Sequence, residues 1–227
     1  MKIPPSWQGV RMRRTLAGTD PDAQRHLVTL PSSWDEAAAS ALALLTGGTG
    51  PVRLAFAAES WIRPLAHRAA AAGIALPLAD RLHALLLTRR GAPDAGIWTG
   101  IEAEIGAEIW AGTRRNRPEP VPGFVLNLAA FHEPGTGFAV AAFAEAVETA
   151  VLALALARPE AARIAVRIAD LAGLLAALGL DYESAEARDV AAAIAALLRG
   201  RADTASASLN DSFGAESSPS TLPAPPP

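Results

Sequence analysis

Four histidines, three neighbouring glutamates and a complete lack of thiols bound the chemistry open to this chain. His26, His67, His83 and His132 are the side chains that change charge near neutral pH. No two of them fall at i, i+4, the spacing that sets a pair of imidazoles on one helical face around zinc. The expectation is therefore no metal site and four surface or half-buried histidines. Glu102, Glu104 and Glu108 could set two carboxylates on one helix face. Acid–base catalysis by such a pair needs a cleft that perturbs one pKa, and a solvated face is the plainer reading. An enzyme of another class would have to draw on Glu102, Glu104, His83 or His132. With no cysteine there is no disulfide, no thiolate ligand and no cysteine nucleophile. No phosphate-binding loop, no Gly-x-Gly-x-x-Gly and no Gly-x-Ser-x-Gly elbow occurs. Trp7, Trp34, Trp61, Trp98 and Trp110 lie far apart and read as core or interface anchors, not as a base-stacking series. No residue is assigned as catalytic, cofactor-binding or metal-binding.

Composition narrows the class further. The 227 residues are 51% hydrophobic and 19% charged, and 53 are alanine. That length suits one domain, or one with a small second, and is enough to bury a core. The net charge of −3 gives no footprint for nucleic acid. Lys2 is the only lysine. Thr149–Ala157 and Ile164–Leu180 are the most apolar windows, and neither offers the roughly 20 apolar residues of a bilayer span. No signal-like apolar run follows the first residues. A cytoplasmic protein without membrane contact is expected.

The elements that would position any site are mainly helical, with a few short strands. Leu27–Leu30 reads as a strand. A helix follows Pro31, with Ser33 and Glu36 as a capping box and Gly47-Gly48 as its stop. Val52–Phe56 reads as a strand. Glu59–Ala72 reads as a helix with a kink or late start at Pro64. Pro77 suits a first helical position, followed by the stripe Leu78, Leu82, Leu85 and Leu86, closed by Arg89, Arg90 and Gly91. Residues 91–122 read as an exposed connection around a short element carrying Ile101, Ile105, Ile109 and Trp110. Phe124–Leu128 reads as a buried strand. Helices follow along Val140–Leu154, along Leu171–Leu178 with Gly179 as stop, and from Ser184 as N-cap through Val190, Ile194, Leu197 and Leu198. The expected core is Leu85, Leu126, Phe143, Val147, Leu171, Leu174, Leu178, Ile194 and Leu197. The organisation expected is a helical region over 1–122, a strand–helix segment over 123–214, and a Pro/Ser-rich tail or linker over 215–227.

Residues 123–214 resemble part of the large catalytic chain of ribonucleotide reductases, most closely the adenosylcobalamin-dependent type. The series begins with Val125-Leu126-Asn127-Leu128-Ala129-Ala130-Phe131. It continues through the Phe-rich helix from Phe138 to Val151 and through Arg163-Ile164-Ala165-Val166-Arg167-Ile168-Ala169-Asp170-Leu171-Ala172-Gly173-Leu174-Leu175. It ends with Leu178-Gly179-Leu180-Asp181-Tyr182-Glu183-Ser184 and a long helix to Ala205-Ser206. The order and spacing match, and Gly173 takes the place of a packing glycine at the strand–helix turn. In that turn, small residues keep it tight, Tyr182 would be an anchor and Ser184 a cap.

The resemblance implies a divergent remnant of the reductase barrel, with a nucleotide or a reductase subunit as partner and a role in DNA precursor synthesis. The departures decide what kind of relative it implies. The family uses one cysteine as a thiyl radical and two as reductants, and this chain has none. Its strand glycines are Ala165 and Arg167 here. Adenosylcobalamin thus enters only by resemblance, and the chain is expected to hold no cofactor and to be catalytically silent. Cobalamin-type members end in a Cys-rich segment with the letters T-S-C-P-D. The expectation here is that such a domain follows Pro227, as in short relatives of that type. The alternative is an alanine-rich helical interaction module that docks a partner through Leu78, Leu82, Leu85 and Leu86.

Overall fold

The computed structural model describes residues 5–18, 22, 24–44, 51–99 and 121–213. The Gly47-Gly48 stop, Ile101, Ile105, Ile109, Trp110, the three glutamates and the 215–227 tail lie outside the described residues. Within them the protein is mainly α with short strands. A 3-10 turn at Pro5–Trp7 precedes β1 (Met12–Ala17) and β2 (His26–Pro31), then α1 (Glu36–Leu44), β3 (Val52–Arg53), α2 (Leu54–Ala71) and α3 (Leu78–Leu87). β4 (Gly91–Pro93) and α4 (Ala95–Thr99) follow, then β5 (Gly123–Asn127), a 3-10 turn (Leu128–Phe131) and the two-residue pair β6 (His132–Glu133) and β7 (Gly137–Phe138). The chain closes with α5 (Val140–Ala157), β8 (Ala165–Ala169), α6 (Leu171–Ala177) and α7 (Ala185–Phe213).

The strands form two three-stranded sheets and a small hairpin. In the first sheet β1 runs antiparallel to β2, and β2 runs parallel to β3. In the second, β4 is antiparallel to β5 and β5 is parallel to β8. Parallel neighbours need a crossover. α1 supplies the first, and α5 with the hairpin supplies the second. β4 precedes residue 122 and β5 follows it, so the boundary expected there falls between two strands of one sheet. Buried residues from Trp7 to Ile194 form a single core.

α5 is the centre of that core. Its eighteen residues carry only two carboxylates, Glu145 and Glu148. Eleven of them are buried, including Phe143, Val147, Val151 and Leu154. A helix apolar on nearly every side is a buried one. α5 is also long and apolar enough to cross a membrane by length and composition, a property the shorter window Thr149–Ala157 had concealed, but 61% of it is buried in the protein. Arg68 of α2 closes its C-terminal end by donating to the Leu156 carbonyl at 2.6 Å, satisfying a carbonyl that the helix itself leaves open.

Several local expectations change. Asp35, not Ser33, caps α1: its carboxylate accepts from the Ala38 amide at 2.8 Å. Glu36 turns outward to Arg13 at 2.7 Å. That amide, helped by Arg89, holds the Asp35 carboxyl below the ordinary range. Val52–Phe56 is a strand only as far as Arg53, and α2 begins at Leu54. α2 runs through Pro64 without ending. The proline and Ser60 are both exposed, so water can take the carbonyl that the missing N–H leaves open. Pro77 is the N-cap of α3, one residue before its first helical position. Gly91 does not close α3. Arg89 does so with φ +57, as the Arg90 amide donates back to Leu85 and the Arg89 amide to Leu86.

The Gly179 stop and the Ser184 cap stand as read. Gly179 ends α6 at φ +73 with the matching pair of bonds to Leu175 and Ala176. Ser184 caps α7, accepting from Ala187 at 3.0 Å. Tyr182 is not an anchor, being 63% exposed. Six expected core residues are buried, whereas Leu171, Leu178 and Leu197 are half-buried against the core.

Candidate functional site

Among the described residues His83 is the buried titratable side chain; the other buried polar residue, Thr149, is satisfied within α5 by the Glu145 carbonyl. α3 turns the face that carries Leu78, Leu82, Leu85 and Leu86 inward, and His83 lies on it at 3% exposure. The expectation of a surface or half-buried histidine fails here, because the ring shares the stripe's periodicity. A buried imidazole must find partners for both nitrogens. The Trp7 indole N–H donates to Nδ1 at 3.0 Å, and the rings meet edge to face with centroids 6.1 Å apart. Nε2 lies 3.2 Å from Glu59 Oε2 on α2. Indole is only a donor and carboxylate only an acceptor. His83 is therefore the neutral tautomer with its proton on Nε2.

Burial pushes the His83 pKa down, while Glu59 and, more distantly, Asp80 pull it back up. A folded-state pKa below the unfolded value near 6.5 means that the unfolded chain binds the proton more readily. The stabilising contribution is complete above that value and is lost as pH falls below it. Urea denaturation of the wild type across pH 8 to 5 is expected to show stability declining toward the acid side, with the decline flattened in His83→Asn.

A second polar group closes the carboxyl end of the β5–β8 sheet. Asn127 ends β5 opposite Ala169 of β8. Its backbone amide donates to the Arg90 carbonyl at 2.9 Å, yet its buried Oδ1 accepts nothing from the described residues. Arg90 reaches back across the 3-10 turn after β5: Nε donates to Ala130 at 3.1 Å, Nη2 pairs with Glu133 at 3.2 Å, and the guanidinium sits 5.1 Å over the Phe131 ring. Asp170 follows β8 in the left-handed region, φ +60, and accepts from the Gly173 amide at 3.2 Å. Gly173 is thus inside the first turn of α6, and a Cβ there would collide with that carboxylate. Its role is to admit the Asp170 cap, not to pack strand on helix.

Glu102, Glu104 and Glu108 lie outside the described residues, and the other three histidines stand on separate elements. His132 is half-buried in β6, His26 lies on β2, and His67 is exposed on α2. No group of three His, Cys, Asp or Glu able to hold a metal occurs among the described residues. Glu59 went unnoticed in the sequence because its meeting with His83 bridges two helices and leaves no periodic mark. The His83 ring has no free lone pair, since Trp7 takes it, so in this state it cannot accept a proton from a substrate. Comparison with family models, with curated proteins and with solved structures finds no match to this chain.

Proposed function

We propose that the chain is a catalytically silent, reductase-like scaffold that docks a reductase subunit through the open edge of β8. One observation carries the choice of a subunit over a nucleotide. Open α/β sheets bind phosphate at the helix N-terminus beyond a strand's carboxyl end, and here the Asp170 carboxylate already occupies the turn beyond β8. An anion would meet a negative charge and a spent amide. The order of strand, apolar helix, strand and capped helices over 123–213 supports kinship with the reductase chain, and the missing thiols support silence.

β8 is suited to strand addition. Parallel strands are usually covered on both faces, yet Arg167, Ile168 and Ala169 are exposed. The Ala165 amide donates toward Pro122, so by alternation the Val166 and Ile168 amides point to the side where no described strand pairs. Arg167, beside Asp94 at 3.2 Å, favours a partner strand with an acid at the facing position.

Burial of the alternative docking stripe argues against that reading. Leu78, Leu82, Leu85 and Leu86 are all buried, at 7% exposure or less, and form core.

Calorimetric titration of a cognate reductase large chain is expected to give binding to the wild type. Ile168→Pro removes one outward donor without touching the β5 ladder, and is expected to weaken binding by about tenfold at nearly unchanged thermal stability. Nucleotide binding with no response to the reductase chain would reverse the choice.

A further inference from the structure

We propose that Trp7, His83 and Glu59 form a proton-released latch that holds the segment Pro5–Val10 against α3. It is independent of any reductase kinship and rests on which atoms can donate.

The segment has few other ties. Two backbone bonds lie within it, from Gln8 to the Pro5 carbonyl and from Val10 to the Trp7 carbonyl. Its only buried residue among those described is Trp7. Among the described residues its long-range polar contact is the indole bond to His83, across 76 positions of sequence. Holding the segment thus depends on one ring in an apolar slot and one hydrogen bond at its tip.

That bond requires a bare Nδ1. Nε2 already carries a proton shared with Glu59, so the next proton must go to Nδ1. The imidazolium then presents N–H to the N–H of Trp7, and a donor faces a donor in a dry site. Moving the indole out lets both groups find water. Breaking the Glu59 contact instead would strand a carboxylate beside the core, which makes the Trp7 side the weaker one. The surroundings of the ring favour this order. Glu59 on α2 and Asp80 on α3 both stabilise the imidazolium. Arg81, next along α3, is held by Glu145 of α5 at 2.8 Å. From the 3-10 turn only the neutral indole faces it. Arg63, one turn beyond Glu59, is exposed. Release uncovers the slot between the N-terminal turn and α3 while α5 and the sheets stay folded.

The test is proton–nitrogen NMR on the full chain, with the Trp7 indole signal assigned through Trp7→Phe. Exchange protection, corrected for intrinsic rates, is followed from about pH 7.5 to about pH 5. Protection of the Trp7 indole and the Val10 amide is expected to fall at least tenfold, while the Val147 and Leu154 amides of α5 hold. In His83→Asn the carboxamide oxygen accepts at every pH, and the pH dependence is expected to vanish. In Glu59→Gln the imidazolium loses its nearest counter-charge, and release is expected to move to lower pH. Trp7 and α5 amides losing protection together would overturn the proposal, as would an unchanged transition in either variant.

Discussion

Phe143→Ala is expected to lower unfolding free energy by about 3–5 kcal/mol, the largest single-site loss in this molecule. The ring is fully buried on the first turn of α5. It meets Phe131 edge to face at 5.2 Å and Phe138 at 5.3 Å, so three aromatic rings from three elements share one contact. Truncation removes the ring's transfer energy, leaves a hole between elements that backbone bonds hold apart, and forfeits aromatic pairing of about 0.5–1.5 kcal/mol per pair. Phe143→Leu keeps most of the volume and should lose less than half as much. Urea titration followed by circular dichroism measures both. A loss below about 1 kcal/mol for the alanine variant would mean that the cluster collapses freely and is not a rigid core.

The second large effect concerns two glycines in facing strands. Gly91 sits in β4 opposite Leu126. A Cβ there would lie 2.8 Å from Leu126 Cδ2 and 2.8 Å from Phe124 Cε1, with the Val125 carbonyl at 3.1 Å. Both side chains are buried, at 0% and 1% exposure, and have nowhere to retreat. Gly91→Ala is expected to cost about 1–3 kcal/mol as overpacking. Gly123, in β5, is crowded only by the tips of Arg167 and Asp94. Those ends are half-exposed and can swing away, losing a surface ion pair of about 0–1 kcal/mol. Gly123→Ala should therefore be nearly silent. Parallel thermal melts decide it, and equal losses at the two sites would refute the packing argument.

How much of this was legible follows from what each feature depends on. The core of α5, the stripe of α3, the Gly179 stop and the Ser184 cap follow from periodicity and local hydrogen-bond chemistry, which act within a few residues. Ser33 and Asp35 are both good N-caps, and only the path of the chain out of β2 selects Asp35. The start of α2 is ambiguous in sequence, since Val52–Phe56 suits a strand and only the buried face shared by Leu54, Ala55, Ala58 and Ile62 marks the helix. The His83 site was hidden for a different reason. Its three members come from residues 7, 59 and 83, and nothing local ties them together. The pairing of β4 with β5 was hidden likewise, because a run of Gly, Pro and charge resembles a linker until a strand arrives to accept it.

The bare margin of β8 has a consequence for crowded solution. A strand that can recruit one chain can recruit its own twin, and such self-recognition is a common route to aggregates. Two copies laid antiparallel along Val166–Ile168 would bring their central Arg167 residues face to face, in the position where side chains come closest. Like charges repel there even with Asp94 alongside. The guanidinium thus acts as a gatekeeper that closes this margin to copies of the chain.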